Sequence, residues 1–136
     1  MKKIKHFLDL DKISATDLRS IINSAVSKYA IEGIVTGALA SVYQTTRIQK
    51  ICNDLKIEWI FKSCYDKDCR SSPNSFHGIG LDEGLKILSA IRNQYGVPVV
   101  SDFSDVNDGN FIGQVCDLVQ VPAYLCRQTS ILKAAA

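Results

Sequence analysis

Short apolar runs alternate with amphipathic helical segments along most of this chain, and that alternation limits the fold more than any other feature. Strand candidates fall at 34–40, 57–61, 97–100 and 117–120, and helix candidates at 45–55, 81–94, 106–114 and 128–136. A strand followed by a helix of this length returns parallel to its predecessor, because a parallel pair needs a long crossover and not a tight hairpin. Right-handed crossovers then set the strands side by side in one parallel sheet with helices packed against it. The fold class is α/β.

The helices are legible from their periodicity and ends. Ser14-Ala15-Thr16-Asp17 has the form of a capping box, with Ser14 as N-cap and Asp17 reaching back to its amide. Leu18, Ile21, Ile22, Ala25, Val26 and Tyr29 recur at helical spacing behind it, giving an extra N-terminal helix ahead of the first strand. Ile48, Ile51, Cys52 and Leu55 share one face of the next helix, and Leu81, Leu85, Leu88 and Ile91 form the clearest stripe. Gly96 is placed for a left-handed C-cap, whereas Gly109 and Gly113 weaken the segment 106–114 as a helix.

A net charge of +2 gives no basis for binding nucleic acid or an anionic membrane. No apolar run approaches the roughly 20 residues of a membrane span. Asp9, Asp11 and Asp17 fall where a signal peptide needs an apolar core, so a cytoplasmic protein is expected. Five cysteines, an odd number without a C-x-x-C pair, read as reduced thiols. Cys64 and Cys69 have no histidine or second pair beside them, and neither a metal nor another cofactor is expected.

The chemistry concentrates after the second strand. Lys62 ends that strand, and the loop beyond it carries Lys67, Arg70, Ser71 and Ser72. Cations with hydroxyl and backbone donors are how such loops hold phosphorylated small molecules. In parallel α/β folds ligands gather at the C-terminal ends of strands, where Asp102 and Gln120 also fall, with Arg127-Gln128-Thr129 just beyond. Singly, each has a structural reading: Lys62 as a solvated strand end, Asp102 as a cap for Ser104 or Asp105, Gln120 as a core amide. His77 reads as a surface residue or a phosphate contact, and His6 falls in the leader. The glycine pair Gly78/Gly80 lacks the third glycine of a dinucleotide fingerprint. Asp66 and Asp68 flank Lys67 and moderate the charge of the loop.

Three blocks resemble the 3-deoxy-D-manno-octulosonate 8-phosphate synthases, also called 2-dehydro-3-deoxyphosphooctonate aldolases. They are Phe61-Lys62 through Arg70-Ser71-Ser72, Gly80-Leu81-Asp82-Glu83-Gly84-Leu85-Lys86-Ile87, and Asp117-Leu118-Val119-Gln120-Val121-Pro122-Ala123-Tyr124-Leu125-Cys126-Arg127-Gln128-Thr129. The resemblance implies a TIM barrel that condenses phosphoenolpyruvate with arabinose 5-phosphate, releasing phosphate, for lipopolysaccharide synthesis. It implies that Lys62, Lys67 and Gln120 hold phosphoenolpyruvate and that Arg70 and Ser71 lie near the pentose phosphate. Lys62, Lys67 and Asp102 are then the catalytic candidates. The substrate-binding candidates are Lys62, Lys67, Arg70, Ser71, Ser72, Gln120 and Arg127, and no metal ligand is assigned.

The chain departs from that family at Cys69, where asparagine is usual, and at His77-Gly78-Ile79-Gly80, where Arg-Gly-Pro-Gly is usual. It also has Asp102-Phe103-Ser104-Asp105 in place of Asp-Val-His-Glu, and Leu39, which cannot ligate a metal, where the family has Cys or Asn. Residues 1–30, with Lys5-His6-Phe7-Leu8-Asp9-Leu10, resemble instead the opening helix of ornithine carbamoyltransferases, without that family's substrate motifs.

The expected organisation is a helical leader over 1–30 and a half-barrel over 31–136, since a TIM barrel takes roughly 250 residues and eight strands. Such a half-barrel exposes strand edges, so self-association into a homo-oligomer is expected. The alternative to an active synthase is an inactive phosphate-binding half-barrel or a recombined gene remnant.

Overall fold

The computed structural model describes residues 14–37 and 42–136. Their elements are α1 (Ala15–Tyr29), β1 (Gly33–Thr36), α2 (Val42–Leu55), β2 (Glu58–Lys62), α3 (Leu81–Tyr95), β3 (Val99–Asp102), α4 (Gly109–Val115), β4 (Leu118–Gln120) and α5 (Thr129–Ala135), with a 3-10 turn at Ala123–Leu125. The sheet order is β1-β2-β3-β4. Phe61 pairs with Val99 and Lys62 with Val100 in one parallel ladder. Val100, Ser101 and Asp102 pair with Leu118, Val119 and Gln120 in the next. Sequential order without a reversal is that of successive units of a (β/α) barrel; a doubly wound sheet would switch direction partway. The architecture is α/β, with helical crossovers between parallel strands, as in part of a TIM barrel. Leu39 and the residues of the carbamoyltransferase resemblance before Ser14, His6 among them, lie outside the described residues.

Two compact units divide the described residues, one of 14–34 with 42–59 and one of 35–37 with 60–136. In the first, α1 packs on α2. Leu18 and Ile22 of α1, Ile48, Ile51 and Cys52 of α2, and Trp59 are its buried apolar side chains. An ion pair between Arg19 and Asp54 ties the two helices at the surface. The cap differs in detail from the expected box. Asp17 N–H donates to Ser14 Oγ at 3.1 Å, but the Ser14 hydroxyl itself donates to Asp17 Oδ2 at 2.6 Å. A hydroxyl can accept and donate at once, so one group serves both the amide and the carboxylate.

In the second unit α3 packs on β3 and α4, and α4 on β4 and α5. Its core holds Phe61, Tyr65, Leu85, Leu88, Val99, Phe103, Ile112 and Ile131. Gly84 sits on the buried face of α3, where an added Cβ would run into Cβ of Tyr65. Asp117 fastens the entry to the sheet: Oδ2 accepts from Val99 N–H at 3.0 Å, and Oδ1 accepts from Arg92 Nη2 at 2.6 Å. Helix α4 starts at Gly109, later than the expected 106, because Asp105 Oδ1 accepts from the backbone and side-chain amides of Asn107 and holds a turn there. Gly109 belongs in that helix for packing: a Cβ on it would come within 2.6 Å of the Ala134 carbonyl oxygen.

Candidate functional site

Because the ladders are parallel, β2, β3 and β4 end on the same side of the sheet. Lys62 closes β2, Asp102 closes β3, and Gln120 closes β4 directly across the ladder from Asp102. Lys62 Nζ lies 3.8 Å from Asp102 Oδ1 and 3.8 Å from Cys64 Sγ. The carboxylate contact is an ion pair, too long for a hydrogen bond. Asp102 Oδ1 is shielded from solvent yet has no hydrogen-bond donor. A buried acceptor in that state is ready to take a donor from a ligand.

The loop from Ser63 to Gly80 folds back on itself, with an antiparallel bridge between Asp66 and Gly78. Lys67 N–H donates to Asp66 Oδ1 at 2.6 Å, and Arg70 N–H donates to the Asp68 carbonyl at 2.8 Å. His77 Nδ1 stands 3.9 Å from Asp66 Oδ1. Residues 65–70 of this loop, Asp102 at the end of β3 with Phe103 and Ser104 after it, and Pro122 with Tyr124 after β4 line a cavity of about 160 Å³. Lys67 and Arg70 supply its positive charge; Asp66, Asp68 and Asp102 supply its negative charge.

Of the residues expected from sequence, Lys67, Arg70 and Asp102 line the cavity, and Lys62 reaches it through its ion pair with Asp102. Ser71, Ser72, Gln120 and Arg127 are not on its wall. Ser71 is exposed, and the Ser72 hydroxyl accepts from Asn74 N–H at 3.3 Å. Gln120 and Arg127 are exposed, so the core-amide reading of Gln120 does not hold. His77 faces Asp66 from outside the wall.

Two tyrosine–aspartate pairs went unread in the sequence. The Tyr65 hydroxyl donates to Asp108 Oδ2 at 2.6 Å, and the Tyr124 hydroxyl donates to Asp68 Oδ2 at 2.8 Å. The Ser104 hydroxyl, and then the Tyr124 phenol, hold the Asp68 carboxyl below the usual carboxylate range. Burial, then the bond to Asp108, pushes the Tyr65 phenol well above its ordinary value. Desolvation, then the bond to Asp68, does the same to Tyr124. Partners 43 and 56 positions apart leave no local spacing to find them by.

Among the described residues no helix is long and apolar enough to cross a membrane. The sequence profile of the DAHP synthetase I family matches residues 35–136. The chain is similar to 2-dehydro-3-deoxyphosphooctonate aldolase of Trichlorobacter lovleyi, 44% identical over 103 residues, which is 76% of this chain and 38% of that protein. It is similar to the protein of that name from Burkholderia multivorans, 47% identical over 90 residues, 66% of this chain and 32% of the relative. The Synechococcus sp. protein of that name is 40% identical over 103 residues, 76% of this chain and 36% of the relative. The chain thus spans about a third of the length of the relatives it matches. The profile match takes in the last two residues of β1, all of β2, β3 and β4, and the whole cavity wall, and the chain belongs to the DAHP synthetase I family.

Proposed function

We propose that this chain serves the condensation of phosphoenolpyruvate with arabinose 5-phosphate to 3-deoxy-D-manno-octulosonate 8-phosphate. The observation that carries the reading is the meeting of Lys67, Arg70 and Asp102 on one cavity wall beside the ends of parallel strands. In the reaction C3 of phosphoenolpyruvate bonds to the sugar's aldehyde carbon, water adds at C2, and inorganic phosphate leaves. Lys62, Lys67 and Gln120 hold phosphoenolpyruvate, Arg70 and Ser71 lie at the pentose phosphate, and Ser72 and Arg127 add further substrate contacts. Asp102 orients Lys62 through Oδ1, and that oxygen, which has no hydrogen-bond donor, can also accept from a substrate hydroxyl. Catalysis of this kind rests on positioning and on fixed charge placed where negative charge moves.

Five free thiols fit a reducing, cytoplasmic setting, and the role in lipopolysaccharide precursor synthesis follows from the condensation proposed. We place the boundary between the leading helical segment and the barrel segment near residue 30.

The test is phosphate release from phosphoenolpyruvate, assayed with and without arabinose 5-phosphate and with and without divalent metal. Sugar-dependent release that Lys62→Ala abolishes supports the reading. A folded protein that binds phosphoenolpyruvate without turnover would leave a binding module and defeat the enzymatic claim.

A further inference from the structure

Three carboxylates and two cations share the cavity wall, yet among the described residues no ion pair involves Lys67 or Arg70. Cations and carboxylates on one wall attract each other and can pair across it. Here each carboxylate is engaged elsewhere. Asp66 accepts from the Lys67 backbone N–H and faces His77. Asp102 pairs with Lys62. Asp68, which stands between Lys67 and Arg70 in the chain, accepts from the Tyr124 hydroxyl at 2.8 Å, with the Ser104 hydroxyl also stabilising its charge.

We propose that Tyr124 is a positioning residue: by engaging Asp68 with a neutral donor, it keeps that carboxylate off Lys67 and Arg70 and leaves both free to take a phosphate. The inference rests on the anion-binding part of the reading above. Tyr124 comes from the segment after β4, so the bond also ties the loop after β2 to the far side of the cavity. A phenol suits the task because it carries no positive charge to compete with the ligand's binding cations. It also loses few rotamers when fixed, and a pre-placed loop binds more tightly than one ordered by its ligand. Ser104 occupies the position where the resembling family has histidine, and its hydroxyl likewise adds no charge beside Asp68.

The test is the affinity of the full chain for inorganic phosphate, by calorimetry, in wild type, Tyr124→Phe, Asp68→Asn and the double variant. Tyr124→Phe keeps the ring and removes the donor, so Asp68 swings to the cations and the phosphate Kd rises about tenfold, the worth of one charge-assisted hydrogen bond. Adding Asp68→Asn removes the competing charge and returns the Kd to that of Asp68→Asn alone. A purely structural tyrosine would not be rescued in this way. A Kd for Tyr124→Phe within twofold of wild type, or a loss that Asp68→Asn does not rescue, overturns the proposal.

A second readout needs no ligand: the Arg70 Nε–H resonance, exchanging freely in wild type, becomes protected in Tyr124→Phe and is freed again in the double variant. Absence of that change overturns the proposal even if phosphate binding is too weak to measure. Failure of the condensation reading looks different, as phosphate binding with the expected rescue but no sugar-dependent release.

Discussion

Lys62 Nζ and Asp102 Oδ1, 3.8 Å apart, join the C-terminal ends of two neighbouring parallel strands. Both side chains are about three-quarters covered, with exposures of 26% and 23%. Attraction between them is screened less than at the surface, and each would be costly to leave alone. Lys62→Met keeps the apolar stem and leaves Asp102 with neither cation nor donor. We expect a loss of about 1–3 kcal/mol in urea unfolding, the cost of leaving a mostly buried polar group unpaired. Adding Asp102→Ala should recover part of it, and a double-mutant cycle with no coupling would show that the pair does not interact.

Asp117 and Arg92 should respond unequally. Asp117→Ala removes the acceptor for the Val99 amide, whose residue is fully buried, so a loss of about 1–3 kcal/mol is expected. Arg92→Ala breaks only the exposed half of the arrangement and should cost less than about 1 kcal/mol. Equal losses in chemical denaturation would mean that the ion pair, and not the backbone amide, sets the energetics.

Gly84→Ala sets helix propensity against packing. On an exposed helix alanine would gain about 1 kcal/mol over glycine. Here the new methyl meets Tyr65 Cβ, a rigid atom one bond from the backbone that carries the cationic loop. Overpacking of this kind costs about 1–3 kcal/mol, so the variant should be less stable and should shift the loop. A variant as stable as wild type or more so would show that α3 can slide away from Tyr65 at little cost.

The sheet was legible because local signals agreed with the tertiary outcome: β-branched and aromatic runs at 57–61 and 97–100 fall within one or two residues of β2 and β3. The helix stripes also reappear, with Leu85 and Leu88 buried on α3 and Ile48, Ile51 and Cys52 on α2. What periodicity could not give was register at element ends. Pro98 precedes β3 although its carbonyl accepts from Phe61 N–H at 2.9 Å, and Gly109 looked like a helix breaker because its close neighbour, Ala134, is distant in sequence. The site was legible to the same degree. Lys67 and Arg70 were visible as a local cluster, while Tyr65, Tyr124 and Ser104 act through partners that only the fold brings near. Asp66 and Asp68, read only as moderators of charge, turn out to be hydrogen-bond acceptors that organise the loop.

Alkaline pH should destabilise the protein through its buried acids. Cys52, on the buried face of α2 and 2% exposed, has its thiol pushed up from 9.0 to about 11 by burial. The unfolded chain therefore gives up this proton first. The thiol's contribution is fully present below about pH 9 and is lost as the pH rises toward 11. Two units correspond to about 3 kcal/mol at most. Cys116, raised by burial, and Tyr65, raised by burial and its bond to Asp108, act with the same sign. Urea midpoints measured from pH 7 to 11 should fall in wild type and fall less in Cys52→Ala, whose stability at neutral pH is lowered by its cavity but whose pH slope is flatter. Parallel slopes in the two proteins would remove Cys52 from the account and leave the alkaline loss to the other raised groups, Tyr65, Tyr124 and Cys116 among them.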